Sequence, residues 1–253
     1  FNVYSFGSYS EREGNSGGFY RRAKDSRNVL ELYPNGFLPQ IATDVKDYSL
    51  ALGLQGDSGD WVWDVSTNYG RNDFGLGVVN SLNTSLGTNS QTEFDNGAMV
   101  YDQLLVNFDA NTSVDFGLPD DVFFTIGAEY RRESYKIEQG EEASYITALN
   151  ENGNPIAAGG AQVLPGFGPQ SATNESRHNV AVFAEFDTYL TDKWNVVLAS
   201  RYEDYSDFGN TFTSKLATRY SITDNLSLRG AASTGFRAPS LAQSSYRQIS
   251  TIL

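Results

Sequence analysis

Nine stretches of the sequence alternate apolar and polar side chains, and the connections between them alternate in length. The period of two is that of a β-strand with two unlike faces. Connections after the second, fourth, sixth and eighth stretches have about three to five residues, whereas those after the first, third and fifth are long. The pattern predicts antiparallel strands with the short turns at one end, although the connection after the seventh stretch is also short. The stretches are residues 1–9, 44–55, 61–71, 98–116, 122–136, 174–190, 194–206, 211–222 and 226–233.

The two faces of the predicted strands differ in charge. Uncharged positions of one face are Val180, Val182, Ala184, Phe186, Val196, Leu198, Leu226 and Leu228. The alternate positions carry Glu129, Arg131, Glu185, Asp187, Arg201, Glu203, Lys215, Arg219 and Arg229. A β-sandwich core would have to bury one whole face, whereas groups in a barrel lumen can pair across strands or stay hydrated.

Outer-membrane barrels have short periplasmic turns and long extracellular loops, and a spanning strand needs only about 9–11 residues. The sequence therefore predicts an all-β, antiparallel, up-and-down transmembrane β-barrel segment with this loop arrangement. Aromatic residues near the short turns predict one interfacial girdle, although aromatics also favour strands in general. These residues are Trp61, Trp63, Tyr189, Trp194 and Tyr220.

Composition excludes several classes of function. Without cysteine the chain has neither a disulfide framework nor a thiolate metal site. Its net charge of −13 argues against binding to duplex nucleic acid, which requires a basic face. The sequence contains no run of about 18 uncharged apolar residues, so it predicts no transmembrane helix.

The first long loop, residues 10–43, holds the predicted ligand-binding residues Tyr20, Arg21, Arg22, Arg27 and Tyr33. Guanidinium and aromatic groups together suit an anionic metal chelate or a sugar acid. The alternative is an ordinary charged loop, or one that touches lipopolysaccharide phosphates. The longest irregular stretch, residues 137–173, contains no Lys or Arg and is interpreted as a mobile loop.

Signals for catalysis or metal binding are weak. His178 is the single histidine, and no nucleophile-elbow motif accompanies it. The glycines at residues 75–80 lack the third glycine of a dinucleotide-binding motif. Carboxylate pairs such as Asp57 with Asp60 could hold Ca²⁺, but solvated turn residues are the simpler interpretation. We therefore predict no catalytic residue, no metal and no cofactor.

Several segments resemble the middle of the barrel of TonB-dependent outer-membrane receptors. They are residues 200–209 (SRYEDYSDFG), 216–220 (LATRY) and 234–240 (TGFRAPS). Residues 127–133 (GAEYRRE) and 184–186 (AEF) look like earlier strands of that family. The resemblance covers residues 120–240 well and the first third by general pattern only. The GFRAPS string is its most specific signal, and Gly235, Phe236, Arg237, Ala238 and Pro239 are expected to have a structural role where the chain leaves the barrel for the outside.

The resemblance implies a barrel of about 22 strands, filled by an N-terminal plug, in the outer membrane of a Gram-negative bacterium. Such receptors import scarce nutrients such as ferric siderophores, haem, cobalamin or glycans, with energy relayed by the TonB complex. Residues 1–253 are then expected to be part of the barrel domain, with the plug, the TonB box and the closing strands outside this chain. The nutrient would bind at the extracellular loops, and lipid and lipopolysaccharide would surround the barrel.

An alternative class remains open. A secreted or periplasmic all-β carbohydrate-binding module would also have long loops that form a site, with no role in transport.

Overall fold

The computed structural model describes residues 1–248 and consists mainly of long β-strands. In chain order they are β1 (Asn2–Gly17), β2 (Arg21–Arg22), β3 (Gly36–Phe37), β4 (Gln40–Ser58), β5 (Trp61–Val79), β6 (Phe94–Val114), β7 (Val122–Gln139), β8 (Thr173–Thr191), β9 (Trp194–Tyr205), β10 (Gly209–Thr223) and β11 (Leu226–Ser233). The nine long strands form one antiparallel sheet in the order β1-β4-β5-β6-β7-β8-β9-β10-β11. This confirms the predicted all-β architecture; within residues 1–248 the sheet stays open, with β1 and β11 at its edges.

Three short helices lie outside the sheet. They are a 3₁₀ helix (Thr84–Asn89), α1 (Glu142–Tyr145) and α2 (Leu241–Ser245). Within residues 1–248, none of the helices combines the length and the apolar character that crossing a membrane would require.

Connection lengths follow the predicted alternation. At one end the strands are joined by residues 59–60, 115–121, 192–193 and 224–225. Gly59 has a φ of +61°, a conformation that glycine adopts without steric cost, and it makes the first of these turns possible. At the other end lie residues 18–39, 80–93, 140–172 and 206–208. The long loops therefore share one end of the sheet.

The strands extend beyond their predicted bounds at the long-loop end. Residues 10–43 were expected to be irregular, but β1 and β4 pair continuously up to Gly17 opposite Gln40. The backbone hydrogen bonds of an antiparallel ladder do not depend on apolar side chains. Residues 10–17 of β1 are polar or glycine, and Ile41 and Ala42 of β4 are adjacent and do not alternate with polar residues, so the period-two signal disappears from the sequence while the ladder continues.

Strand register assigns the side chains to two faces. Phe186 lies opposite Leu198 of β9, which lies opposite Leu216 of β10. We call their face the outer face, and it exposes large apolar side chains in every long strand; Leu198 is 47% exposed and Val182 is 51% exposed. The alternate positions, including Glu129 and Arg201, form the inner face. This is the division that a membrane-spanning wall requires.

Aromatic side chains border the apolar part of the outer face on both sides. Near the short turns Trp194 lies opposite Tyr220, as predicted, but Tyr189 lies opposite Asn195 and so belongs to the inner face. Tyr189 is therefore not part of the girdle. A second row that the sequence reasoning missed lies nearer the long loops and contains Tyr9, Tyr48, Tyr69, Tyr130 and Tyr202. The eight-residue step from Trp194 to Tyr202 is about 27 Å along the strand, comparable to the apolar band of outer-membrane barrels once strand tilt is included.

Candidate functional site

The first loop contains one predicted ligand-binding residue that is buried. Arg21 is only 7% exposed. Its guanidinium donates to Oε1 of Gln162 at 3.3 Å and to the carbonyl of Phe19 at 2.8 Å. Burial lowers the pKa of Arg21, since desolvation disfavours the charged form. Arg21 therefore connects two loops and is not presented to solvent, contrary to the sequence interpretation.

The other predicted residues of this loop are more accessible. Arg22 is exposed, and Tyr20 is exposed while its hydroxyl donates to the carbonyl of Asn35 at 2.6 Å. Arg27 is exposed and donates twice to Asp25, each time at 2.9 Å. Its charge and hydrogen bonds lower the pKa of Asp25 to about 2. Arg27 thus carries a charge that a neighbouring carboxylate already compensates.

Tyr33 belongs to the interior of the loop region. Its ring stacks on Phe37 with a centroid distance of 4.5 Å, and its hydroxyl donates to the carbonyl of Ser81 at 3.2 Å. Burial raises its pKa. Of the five predicted residues, Tyr20 and Arg22 therefore remain the most suitable for a ligand that approaches from solvent.

Two buried residues that were not predicted from the sequence organise the long loops: Asn83 joins the second to the third, and Ser144 holds the third together. Asn83 is fully buried, and its amide donates to the carbonyls of Ala143 and Ile146, both at 2.9 Å. Ser144 is also fully buried, and its carbonyl accepts bonds from Ala161 and Gly166, both at 2.9 Å. Residues 137–173, interpreted from sequence as a mobile loop, thus make specific contacts in the structure.

On the inner face, ion pairs form within single strands and across β8. Arg201 contacts Glu129 at 3.2 Å and Glu203 at 2.9 Å, and Arg131 contacts Glu129 at 2.9 Å. The pair of Arg201 with Glu129 joins β9 to β7, as expected of charges that pair across strands, whereas each of the other two pairs lies within one strand. Their partial burial beside one another gives the inner face a rigid polar surface.

Arg177 is the most buried cation of this inner face, with a side chain 5% exposed. It donates to Oε2 of Glu133 at 2.7 and 3.0 Å and to the carbonyl of Pro239 at 2.9 Å. Its guanidinium also lies 5.6 Å from the ring centre of Tyr205. Sequence reasoning missed Arg177, because its partners lie 44 and 62 residues away.

The segment with the GFRAPS string takes a different path from the predicted one. We call residues 234–246 the strap. Instead of leaving for the outside, the strap folds back over the inner face, where Leu241 is buried with Tyr135, Ile137 and Phe167. Phe236 packs on Phe208, and Arg237 is exposed. A Cβ at Gly235 would meet no atom within 4 Å, so the structure gives no steric reason for glycine there.

An apolar pocket lies between the strap and the inner face near the long loops. Its volume is about 470 Å³, within the range of small-molecule sites. We call it the mouth pocket. It is lined by Asn72, Phe74, Met99, Val100, Tyr101 and Tyr135 of β5, β6 and β7 and by Ala242, Gln243 and Tyr246 of the strap.

Other sequence candidates do not form a site. His178 lies on the outer face, exposed, with its ring 6.4 Å from that of Tyr130. Within residues 1–248 no group of three or more His, Asp or Glu side chains is arranged to hold a metal ion.

The sequence was compared with protein families and with curated proteins. The family described as TonB dependent receptor-like, beta-barrel matches residues 1–251. A curated relative, the probable TonB-dependent siderophore receptor PirA of Acinetobacter baumannii, is 23% identical over 198 residues, which cover 73% of this chain and 23% of that protein. The chain thus spans less than a quarter of this relative.

Two solved structures share the fold. The siderophore receptor PirA from Acinetobacter baumannii superposes with a TM-score of 0.55 and 16% identity, over 93% of this chain and 34% of that one. A mutant of the ferric enterobactin receptor PfeA from Pseudomonas aeruginosa gives a TM-score of 0.51 and 13% identity, over 94% and 32%. Because the family match takes in nearly the whole sequence, the chain belongs to the TonB-dependent receptor β-barrel family.

Proposed function

We propose that the chain is part of the barrel wall of an outer-membrane receptor that imports a ferric siderophore in a Gram-negative bacterium. The energy would come from the TonB complex through parts of the receptor outside this chain. The plug and the closing strands would also lie outside it. Family membership and the two-faced sheet support the receptor, and the names of the relatives support a siderophore as the nutrient.

The observation that carries the proposal is the mouth pocket. The inner face is mostly polar, but near the long loops it presents Phe74, Met99 and Tyr101 side by side. Aromatic and sulfur-containing side chains at an accessible cavity favour contact with a flat organic group. Arg22 and Tyr20, exposed on the first loop, add a cation and a ring that suit an anionic chelate.

The outer face argues against a secreted carbohydrate-binding module. Its exposed apolar side chains run across all nine long strands. Soluble proteins rarely expose contiguous apolar patches of more than a few hundred Å². A lipid surrounding provides the cover that such a face needs.

Uptake of radioactive ligand by the full-length receptor tests the proposal, with radioactive iron in the siderophores and haem and radioactive cobalt in cobalamin. The receptor would be expressed in a strain that lacks other siderophore receptors and supplied with ferric enterobactin, a ferric hydroxamate, haem or cobalamin. We expect uptake of a ferric siderophore that stops when TonB is removed. Uptake of haem or cobalamin alone would contradict the assignment to siderophores.

A pair of variants connects uptake to the pocket. Phe74→Ala removes one ring from the mouth pocket and should weaken binding of the transported siderophore about fivefold. The control is Phe212→Ala, which removes an exposed ring from the outer face. Equal affinities of the two variants and the unchanged receptor would exclude the mouth pocket as a contact.

A further inference from the structure

The strap is held to the inner face at a few defined places. At its start, the backbone N–H of Thr234 donates to the carbonyl of Ser214 at 2.9 Å. Towards its end, Leu241 is 6% exposed in the cluster with Tyr135 and Phe167. Ser240 caps α2 through a reciprocal pair of bonds with Gln243. Most of residues 234–240 between these anchors are exposed, so their position depends on few contacts.

Arg177 makes the polar contact in the middle of the strap. Three of its hydrogen bonds fix its direction: two go to Glu133 of β7 and one goes to the carbonyl of Pro239 in the strap. Asp207 lies 3.5 Å from the same guanidinium. A buried guanidinium loses much free energy if its acceptors leave, because its charge then has no compensation. The contact therefore favours the strap position in which the Pro239 carbonyl reaches Arg177.

Aromatic stacking supports the same position. The guanidinium of Arg177 lies over the rings of Tyr205 and Phe208, at 5.6 and 5.9 Å. Phe236 of the strap packs against Phe208 with centroids 5.6 Å apart and against Tyr205 at 6.2 Å. One side of the guanidinium environment thus comes from β9 and the turn after it, and the other comes from the strap.

The ion pair of Arg177 and Glu133 is connected to the mouth pocket by a hydrogen bond. Glu133, which accepts from Arg177, also accepts the hydroxyl bond of Tyr101 at 2.6 Å. Tyr101 lines the pocket on the sheet side, while Ala242 and Tyr246 line it on the strap side. Arg177 is therefore connected to the sheet wall of the cavity through Glu133 and Tyr101, and it bonds the strap at Pro239, three residues before the first strap residue that lines the cavity.

We propose that Arg177 is a positioning residue for the mouth pocket: it holds the strap against the inner face and so sets the distance between the two walls that receive the ligand. The role in ligand binding rests on the proposed function above. The position of the strap can be measured without any ligand.

The first experiment uses the full-length receptor with a spin label on the strap, at Ser244→Cys. Ser244 is exposed on α2, and residues 1–253 contain no cysteine that would compete for the label. We expect a single immobilised label in the unchanged receptor. Arg177→Gln should convert a large part of the spectrum to a mobile component, since losing one charge-assisted bond shifts such an equilibrium about tenfold or more.

Arg201→Gln is the matched control. Arg201 also lies on the inner face and pairs with two glutamates, but its partners are Glu129 and Glu203 of the sheet. We expect its label spectrum to equal that of the unchanged receptor. A spectrum unaltered by Arg177→Gln, or altered equally by Arg201→Gln, would overturn the proposal.

Two further variants keep the test decisive if Arg177→Gln fails to insert into the membrane. Phe236→Ala removes the strap ring that packs on Tyr205 and Phe208 but leaves the bond from Arg177 to the Pro239 carbonyl, so it should mobilise the label only in part. Arg177→Lys keeps the charge but not the forked geometry and should restore part of the immobilised component. A label as fully immobilised in a correctly inserted Arg177→Lys receptor as in the unchanged one would contradict the proposal.

Binding of ferric enterobactin gives the second readout. If the unchanged receptor binds it, Arg177→Gln should raise the dissociation constant about tenfold and Arg201→Gln less than twofold, with Arg177→Lys between them. If the unchanged receptor binds no ferric siderophore, the proposed function fails, and the spin-label spectra alone decide whether Arg177 positions the strap.

Discussion

Arg21 and Arg22 are neighbours in the sequence but have opposite surroundings. Arg21 is buried against Gln162, which is itself 8% exposed, whereas Arg22 is exposed. The two residues are consecutive in β2, which pairs with β3, and consecutive side chains of a strand point to opposite faces. Arg21 therefore points into the loop interior and Arg22 points to solvent. The two arginines should therefore contribute to different properties of the receptor.

Replacing each arginine by alanine separates these properties. Arg21→Ala leaves the side-chain Oε1 of Gln162 without its donor and should destabilise the loop region by about 1–3 kcal/mol. Arg22→Ala should change stability by less than about 0.5 kcal/mol. Hydrogen exchange of residues 161–163 in the full-length receptor measures the difference; faster exchange in Arg22→Ala than in Arg21→Ala would contradict the assignment.

Asp25 gives a prediction about pH. Its pKa in the folded loop is about 2, below the ordinary value of 3.8, since Arg27 stabilises the carboxylate. A lowered pKa means that the pair stabilises the loop above about pH 4 and that this contribution is lost as the pH falls towards 2. Arg27→Gln should return the pKa towards 3.8, which carboxyl ¹³C shifts of labelled aspartate can follow. An unchanged titration of Asp25 in Arg27→Gln would show that the pair does not form.

At the scale of elements, the long loops form one connected assembly. Asn83 of the second long loop bonds to the carbonyls of Ala143 and Ile146 in the third. Gln162 of the third loop bonds to Arg21 of the first and also donates to Thr84. Removing one of these hydrogen bonds should therefore lower the stability of more than one loop.

Asn83→Ala tests this connection. It removes the donor of the Ala143 carbonyl and one of the two donors of the Ile146 carbonyl, which keeps its bond from Gly160, and should lower the local free energy of opening by about 1–3 kcal/mol. The measurement is amide exchange in residues 140–172, with Asn152→Ala as an exposed control in the same loop. Similar exchange in both variants would show that the loops are stabilised independently.

The strands could be predicted where their two faces differ chemically. Leu50, Leu52 and Leu54 alternate with small residues, and the predicted strand of residues 44–55 lies within β4 with these leucines on the outer face. The polar ends of β1 and β4 could not be found, since the hydrogen-bond ladder there leaves no apolar pattern. The alternating pattern in the sequence thus predicts the apolar section of each strand but not the polar section that extends each strand towards the long loops.

Candidate site residues were harder to predict than the strands. Arg21 looked like a ligand contact because its burial depends on Gln162, 141 residues further along the chain. The role of Arg177 could not be predicted from the sequence, since a single arginine in a strand gives no sign of contacts with the strap. Side chains that join distant segments need the fold before their role becomes visible.

At the scale of the whole molecule, one face of the sheet meets lipid and the other faces the barrel interior. Leu198 lies on the outer face between Trp194 and Tyr202, and its neighbour Val197 lies on the inner face opposite Asp187. Outer and inner positions alternate in this way along every spanning strand.

Arginine at these two neighbouring positions should have different effects. Leu198→Arg places a cation in the apolar band and should destabilise the inserted protein by about 2–4 kcal/mol. Val197→Arg places it beside Asp187 on the inner face and should cost much less. Unfolding of the full-length receptor from lipid vesicles by denaturant measures both; a larger loss for Val197→Arg would reverse the assignment of the faces.

The most direct test of the account is the topology of the receptor in intact cells. Single cysteines would be placed at Asn152 in the third long loop and at Asp192 in a short turn, in a receptor with no other cysteine. A membrane-impermeant maleimide should label Asn152→Cys in intact cells and Asp192→Cys only after the outer membrane is opened. Labelling of Asp192→Cys in intact cells, with Asn152→Cys protected, would contradict the placement of the long loops outside the cell.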